Sequence, residues 1–380
     1  MAHSDLIPTL ANLIRIASVN SAYNPEGSES EIQNWISDFF RDRGILTWEQ
    51  EVLPSRPNVI AQLPGKNSAR RLLFEAHCDT AGVDGMSIPP FDPRIRNGRI
   101  YGRGACDTKA GLAAMMHAMV DLKQAHVQPP CEVWVASTVD EEHSFRGVLK
   151  LSENLKAAAA VVSEPTTMRM AIASKGCLRW RITVKGKAAH SSKPCLGTNA
   201  IEHMARIVRL LGDDGQQLHE FRHALVGSPT LNIGLIQGGT QVNVVPETCW
   251  IEIDRRLIPG EEPAQVLASY RELLNDLRAS NPDLEWFMEP PLLQDQPMQT
   301  PADSAIAQRA ALVLKEAGLD DSPVGVPFGS DASKFARAGI PSIILGPGSI
   351  EQAHTADEYV ELEEVEKAFV VYRNLMKSFE

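Results

Sequence analysis

Short apolar runs alternate with amphipathic helical stretches through the first half of this chain, and the runs end in acid or imidazole residues. Residues 72–76 are apolar and stop at His77. Residues 131–139 read as a strand and stop at Asp140-Glu141-Glu142. Residues 159–163 read as another and stop at Glu164-Pro165. Between them, residues 5–16, 29–43 and 108–124 carry helical periodicity, with Ile32, Trp35, Ile36, Phe39 and Phe40 on one stripe and Gly44 as a stop. Strands that alternate with helices predict an α/β fold built on a doubly wound, mostly parallel sheet. In such a sheet, ligands bind in the crevice outside the strand carboxyl ends. His77, Asp79, Asp107, Glu141, Glu142 and Glu164, joined by a late His354, are all expected at that crevice. They are metal-ligand types, and two metals fit their number better than one.

The pattern changes near residue 177. Residues 178–185 alternate as a strand, 199–211 are helical, and 230–237 and 242–256 read as strands joined by the turn Gly238-Gly239-Thr240-Gln241. A helix over 263–279 and an extended segment over 284–288 complete a β-α-β-β-α-β, ferredoxin-like order. Residues 302–379 return to alternating helix and strand. The expected organisation is therefore a catalytic domain of residues 1–176 and 292–380 interrupted by an inserted α+β domain of residues 177–291.

With 380 residues, 43% of them hydrophobic, the chain can bury a sizeable core, and its formal charge of −11 argues against nucleic acid and anionic membrane as partners. No apolar run approaches the roughly 18–20 residues of a spanning helix. The first twenty residues lack a basic stretch followed by an apolar one, so no signal peptide and a cytoplasmic location are expected. Six dispersed cysteines without a CxxC spacing fit reduced thiols. Cys78, between His77 and Asp79, is expected to face the core.

Each motif has a plain reading beside the chemical one. His77-Cys78-Asp79 is either a polar strand end or a metal ligand whose second ring nitrogen hydrogen-bonds to Asp79. The glycine-rich segment 102–111 opens a helix but lacks both phosphate-loop spacings. Its Asp107 can cap that helix or bridge two cations. Asp140-Glu141-Glu142 is a solvated turn, or one glutamate binds metal while its neighbour stays free as a general base. A lone His354 in a loop is ordinarily solvated, but the strand before it should join the same sheet. His190, in the inserted domain, is no first choice as a ligand. It suits a transition-state hydrogen-bond donor if that domain closes over the cleft.

These residues, taken together, resemble a known group. His77-x-Asp79, Gly104-x-x-Asp107, Glu141-Glu142, Ser163-Glu164-Pro165-Thr166, Gly186…His190-Ser191-Ser192…Pro194 and Ala353-His354…Asp357-Glu358 follow the order and spacing of the acetylornithine deacetylase / succinyl-diaminopimelate desuccinylase family of co-catalytic zinc hydrolases. Residues 229–234, Asp254…Arg256…Pro259-Gly260 and residues 345–354 look most like acetylornithine deacetylases. The resemblance implies that His77 and Glu164 hold one Zn²⁺, that Glu142 and His354 hold the other, and that Asp107 bridges them next to a cis peptide to Thr108. Co²⁺ or Mn²⁺ suit the same donors. It further implies that Asp79 orients His77 and that Glu141 is the general base. His190 reaches the other subunit's site in a homodimer built through the inserted domain. Arg256 binds the substrate α-carboxylate, with Asn243 nearby and Gly329 and Ser330 at the substrate. Gly329-Ser330-Asp331-Ala332 stands where some acetylornithine deacetylases carry Cys-Thr-Glu-Ala, which leaves side-chain specificity open.

The reaction expected is hydrolysis of an N-acyl-L-amino acid, with N-acetyl-L-ornithine, cleaved to L-ornithine and acetate in arginine biosynthesis, as the leading substrate. Related alternatives are a desuccinylase, an N-acetylcitrulline deacetylase, an aminoacylase, or a metallo-carboxypeptidase or dipeptidase. A non-catalytic metal-binding scaffold is the remaining alternative, although such a binder needs no free Glu141.

Overall fold

The computed structural model describes residues 5–380, which divide into two compact units. The first runs to Ile172 and resumes over Gln299–Gly325 and Ser330–Glu380. The second comprises Ala173–Met298 and Val326–Gly329.

The fold is α/β, and the first unit is organised by a mostly parallel sheet. Its middle strands lie in the order Cys131–Thr138, Asn67–His77, Ala159–Val162 and Ser342–Ile344, each parallel to the next. They are buried on both faces, which is why they read as unbroken apolar runs rather than alternating ones. Their register aligns the strand ends: His77 pairs with Thr138, Glu75 with Val162, and Val162 with Ile344. The residues that follow those ends therefore emerge along one edge of the sheet. The helices Ala110–Gln124 and Leu362–Ser378 pack against each other, as do Arg146–Ser152 and Ala332–Arg337.

An antiparallel hairpin, Leu46–Leu53 with Arg56–Leu63, extends the sheet beside Cys131–Thr138. Sequence patterning does not reveal it. Its outer strand carries Glu49, Gln50 and Glu51 and is nowhere fully buried, as suits an edge. Nor does patterning reveal a small sheet of Tyr359–Glu361, Arg99–Tyr101 and Arg94–Arg96.

The second unit is an antiparallel sheet in the order Glu285–Met288, Gly176–Lys185, Thr248–Leu257 and Thr230–Gly238, with helices Ala200–Gln217 and Pro263–Ala279. This is the ferredoxin-like strand order. Thr248–Leu257 alternates buried and partly exposed residues, as a sheet with one covered face must. Trp180, Ile182, Ile251 and Ile253 pack with Met204, Ile207 and Leu211 of one helix and Leu267 and Leu274 of the other. Asn199 caps the first helix by accepting from the amides of Ile201 and Glu202 at 3.0 and 3.2 Å. A further strand, Leu293–Asp295, pairs with Gly176–Lys185 and carries the unit past residue 291.

The four-residue turn expected at 238–241 is instead a longer excursion over 239–247, and the next strand begins at Thr248 rather than 242. Pro246 has no amide to give a sheet ladder. This segment pairs elsewhere: Val245 donates to the Ala189 carbonyl at 2.8 Å, and Ala200 donates to the Pro246 carbonyl at 2.9 Å. Among the described residues, no helix is long and apolar enough to cross a membrane, and all six cysteines are free.

Candidate metal centre

Two groups of donor atoms lie at the aligned strand ends of the first unit. One is His77, Asp107 and Glu164; the other is Asp107, Glu142 and His354, and within each group the donor atoms lie within 4.8 Å of one another. Asp107 belongs to both. Its Oδ1 is 3.0 Å from His77 Nε2 and its Oδ2 is 3.4 Å from His354 Nε2, while Glu142 Oε1 is 3.1 Å from that same nitrogen. Two donors on one tetrahedral ion, each about 2.0–2.1 Å from it, stand about 3.3 Å apart. The spacing and the carboxylate–imidazole chemistry therefore fit a divalent cation in each group.

The electrostatics make the same point. Burial and the neighbouring Asp107 and Glu141 push the Glu164 carboxyl well above its ordinary value. Burial, then His77 and Glu142, act on Glu141, whose carboxyl is pushed up to about 8. His354 is driven up to about 11 by its contacts with Asp107 and Glu142. Burial opposes ionisation of Asp107, but His354 and His77 outweigh it and hold its carboxyl low. So many carboxylates in one buried cluster repel one another unless positive charge is placed among them.

Local structure explains how each donor is presented. His77 is the last residue of its strand. Glu164 follows the strand that ends at Val162. Asp107 lies in a five-residue turn, Ala105–Lys109, ahead of the helix that begins at Ala110. The turn includes a cis Asp107-Thr108 peptide. The Asp107 carboxylate faces the two histidines, and no side chain caps the helix. Asp140 and His354 hold left-handed backbone angles, φ 66° and 60°, an uncommon conformation for residues with side chains. Cys78 is fully buried.

Asp79 differs from expectation in one respect. His77 Nδ1 donates to the backbone carbonyl of Asp79 at 2.9 Å, while the carboxylate stands 3.6 Å away. The strand has ended at His77, so the alternation that would align the two side chains no longer holds. That carboxylate instead accepts the amides of Glu141 and Glu142, both at 3.1 Å. Asp79 thus fixes the turn that carries both glutamates. Glu141 itself belongs to neither donor group.

Sequence reasoning missed Asn20. Its Nδ2 donates to Asp79 at 2.8 Å and to Asp140 at 3.0 Å, from a fully buried position. Arg56, paired with Glu29, also reaches Asp140 at 3.5 Å. No local pattern marks these residues, because their partners are distant in sequence. Behind His77 lie buried Glu75 and Asp331, linked through Thr138 Oγ1. Burial, with Glu75 and Glu141 beside it, pushes the Asp331 carboxyl well up. The neighbouring Ser330 is fully buried.

The other expected site residues belong to the second unit. His190 and Asn243 sit on adjoining loops: Ser191 donates to the Asn243 carbonyl at 3.0 Å, and His190 bridges to Val244. His190 Nδ1 accepts the Ser192 amide at 3.2 Å, which leaves the proton of a neutral ring on Nε2. Arg256 stands at the far end of the strand Thr248–Leu257. Its Nε and Nη2 meet Asp254 at 2.8 and 3.4 Å. That two-point contact steadies the guanidinium. A side chain at Gly329 would collide with the Asp295 carboxylate.

An acetylornithine deacetylase of Myxococcus xanthus is 31% identical over 330 residues, spanning 85% of this chain and 84% of that one. The crystal structure of a tripeptidase from Staphylococcus aureus superposes with a TM-score of 0.81 at 22% identity, covering 99% and 98% of the two chains. A Bacillus subtilis dinuclear metal binding peptidase superposes at 0.74 and 16% identity, covering 100% and 99%. Residues 73–378 match the family described as peptidase family M20/M25/M40, and the chain belongs to that hydrolase family.

Proposed function

We propose that this protein hydrolyses the amide bond of an N-acyl-L-amino acid, and that N-acetyl-L-ornithine, giving L-ornithine and acetate, is its substrate. The observation that carries the reading is the placement of Asp107 between His77 and His354, with Glu141 close by and outside both donor groups. The name of the Myxococcus relative supports the choice of acyl amino acid.

In this reading His77, Asp107 and Glu164 hold one Zn²⁺, and Asp107, Glu142 and His354 hold the second. Co²⁺ or Mn²⁺ are substitutes of the same donor preference. Such cations supply Lewis acidity, polarising a carbonyl and acidifying water. The chain's own groups do the rest. Glu141 takes a proton from the attacking water and returns it to the leaving nitrogen. Asp79 keeps Glu141 and Glu142 in place through their amides. His190 donates from Nε2 to the developing oxyanion. Arg256 pairs with the α-carboxylate and fixes the scissile bond, and Asn243 and Gly329 line the remainder of the substrate, while Ser330, being fully buried, does not reach it.

A panel of N-acetyl-, N-succinyl- and dipeptide substrates, read by amine release, tests the substrate. N-acetyl-L-ornithine should give the highest kcat/KM. A higher value for a succinylated or peptide substrate would replace this reading with a desuccinylase or dipeptidase. Metal bound with no turnover on any member would leave only a scaffold.

Arg256→Lys should raise KM about 10- to 100-fold, the worth of a charge-assisted hydrogen bond of roughly 1.5–3 kcal/mol, because lysine cannot reproduce a two-point contact. An unchanged KM would remove Arg256 from the carboxylate site.

His190 is proposed to serve the active site of the other subunit in a homodimer formed through the second unit. His190→Ala should lower kcat about 10²–10³-fold with metal content unchanged. Mixed dimers of His190→Ala with Glu141→Gln should then regain one working site per heterodimer. Mixtures as inactive as either parent would refute action across the dimer.

A further inference from the structure

Glu358 is a carboxylate near the metal centre that the mechanism does not use, and it has no accessible surface. Four N–H groups converge on it. Arg103 Nη1 donates at 2.7 Å, and the amides of Gly104, Cys106 and Asp107 donate at 3.1, 2.8 and 3.1 Å. Two of these four belong to the turn that presents Asp107, and Gly104 immediately precedes it. That turn leaves helical dihedral angles at Asp107 (φ −119°, ψ 94°) and Thr108 (φ −129°, ψ 25°), and within it Lys109 donates back to the Gly104 carbonyl at 3.0 Å. Successive amides pointing to one spot form an anion-binding concavity, and the Glu358 carboxylate fills it.

Glu358 also lies four residues after His354, and its backbone is itself held. Gly102 donates to the Glu358 carbonyl at 3.0 Å, and Ser87 donates to the Ala356 carbonyl at 2.8 Å. At the other end of the His354 loop, Cys106 Sγ donates to the Ser349 carbonyl at 3.3 Å. The loop carrying His354 is thus tied at both ends to the turn carrying Asp107. His77 and Glu164 are placed by the parallel sheet instead.

We propose that Glu358 is a positioning residue that sets Asp107 and His354 in register, so that the Asp107–Glu142–His354 group can hold its cation. This rests on the two-cation reading above. The asymmetry follows from the connections: the Glu358 carboxylate ties the Asp107 turn to the segment that carries His354, two of the three donors in that group, whereas in the group with His77 and Glu164 it supports only Asp107. Charge is part of the design, since Arg103 is itself buried and Glu358 is its anionic partner.

The test measures zinc binding by the full-length chain, by competition with a chelator of known affinity, for wild type, Glu358→Gln, Glu358→Asp and Glu361→Gln. Glu361 makes an ion pair with Arg99 between neighbouring strands of the same region and touches none of the turn amides, so its variant reports general loosening. Loss of a residue that supports a metal ligand typically weakens binding about 10- to 100-fold. Glu358→Gln should weaken one of the two zinc affinities by that factor and the other by less. In zinc, its His354 should become open to diethyl pyrocarbonate, mapped by mass spectrometry. Glu358→Asp, which keeps the charge, should fall between wild type and Gln, and it stands in for Gln if that variant does not fold. Glu361→Gln should match wild type. Two unchanged affinities in both Glu358 variants, or equal weakening in Glu361→Gln, would overturn the proposal and leave the two-cation reading intact. Wild type that binds fewer than two zinc ions would overturn the reading itself, and this proposal with it.

Discussion

Glu141→Gln should lower kcat by about 10²–10⁴-fold, the usual contribution of a positioned general acid–base, while both cations stay bound. The expectation follows from position. Glu141 is excluded from both donor groups, although its neighbour Glu142 belongs to one. Its amide is held by Asp79 at 3.1 Å, so the backbone of the pair is fixed without the Glu141 side chain taking part. Burial pushes its carboxyl up to about 8, and a cation nearby brings such a value down. A group in that range can collect a proton and give it back near neutral pH. Glutamine keeps the shape and loses the basicity. The measurement pairs kcat on N-acetyl-L-ornithine with zinc content by mass spectrometry. Turnover close to wild type would remove Glu141 as the base; loss of zinc would make it a ligand instead.

What the sequence makes legible here is what depends on neighbours along the chain. The parallel strands are buried on both faces, so 72–76, 131–139 and 159–163 stand out as apolar runs, and the donors that follow them come in view with them. His354 is found the same way, through the strand before it. Contacts that close across the chain leave no such mark. Asn20 reaches Asp79 and Asp140 from 59 and 120 residues away, and Glu358 reaches the turn amides across more than 250. The Asp79 carboxylate shows the same limit on a small scale. Strand alternation aims it at His77, but the strand stops at His77, two residues short of Asp79, and the carboxylate goes to the amides of the following glutamates. The outer hairpin strand, Leu46–Leu53, is hidden for a different reason: an edge strand is half solvated, and its polar residues read as loop.

Asp107→Asn is expected to have the larger effect on the metals. Asparagine has nearly the same shape, so the turn held by Glu358 should form as before. Its amide offers one neutral oxygen where the carboxylate offers two that share a negative charge, and the structure uses both, one toward His77 and one toward His354. The substitution therefore removes a donor from one group and anionic character from both. Losing a residue that only supports a ligand costs about 10- to 100-fold in metal affinity, and losing the shared ligand should cost more. Zinc content should drop from two ions to one or fewer at a free-zinc level that saturates wild type, and turnover should fall at least as far as in Glu141→Gln. The two variants then separate by metal content: Glu141→Gln is inactive with its cations, Asp107→Asn is inactive for want of them. Raising free zinc should restore part of the binding in Asp107→Asn, since His77, Glu164, Glu142 and His354 remain. Far-ultraviolet circular dichroism of the same samples checks that the fold is intact. Two ions held as tightly as in wild type would show that Asp107 bridges nothing, and the pairing of the two donor groups would lose its basis.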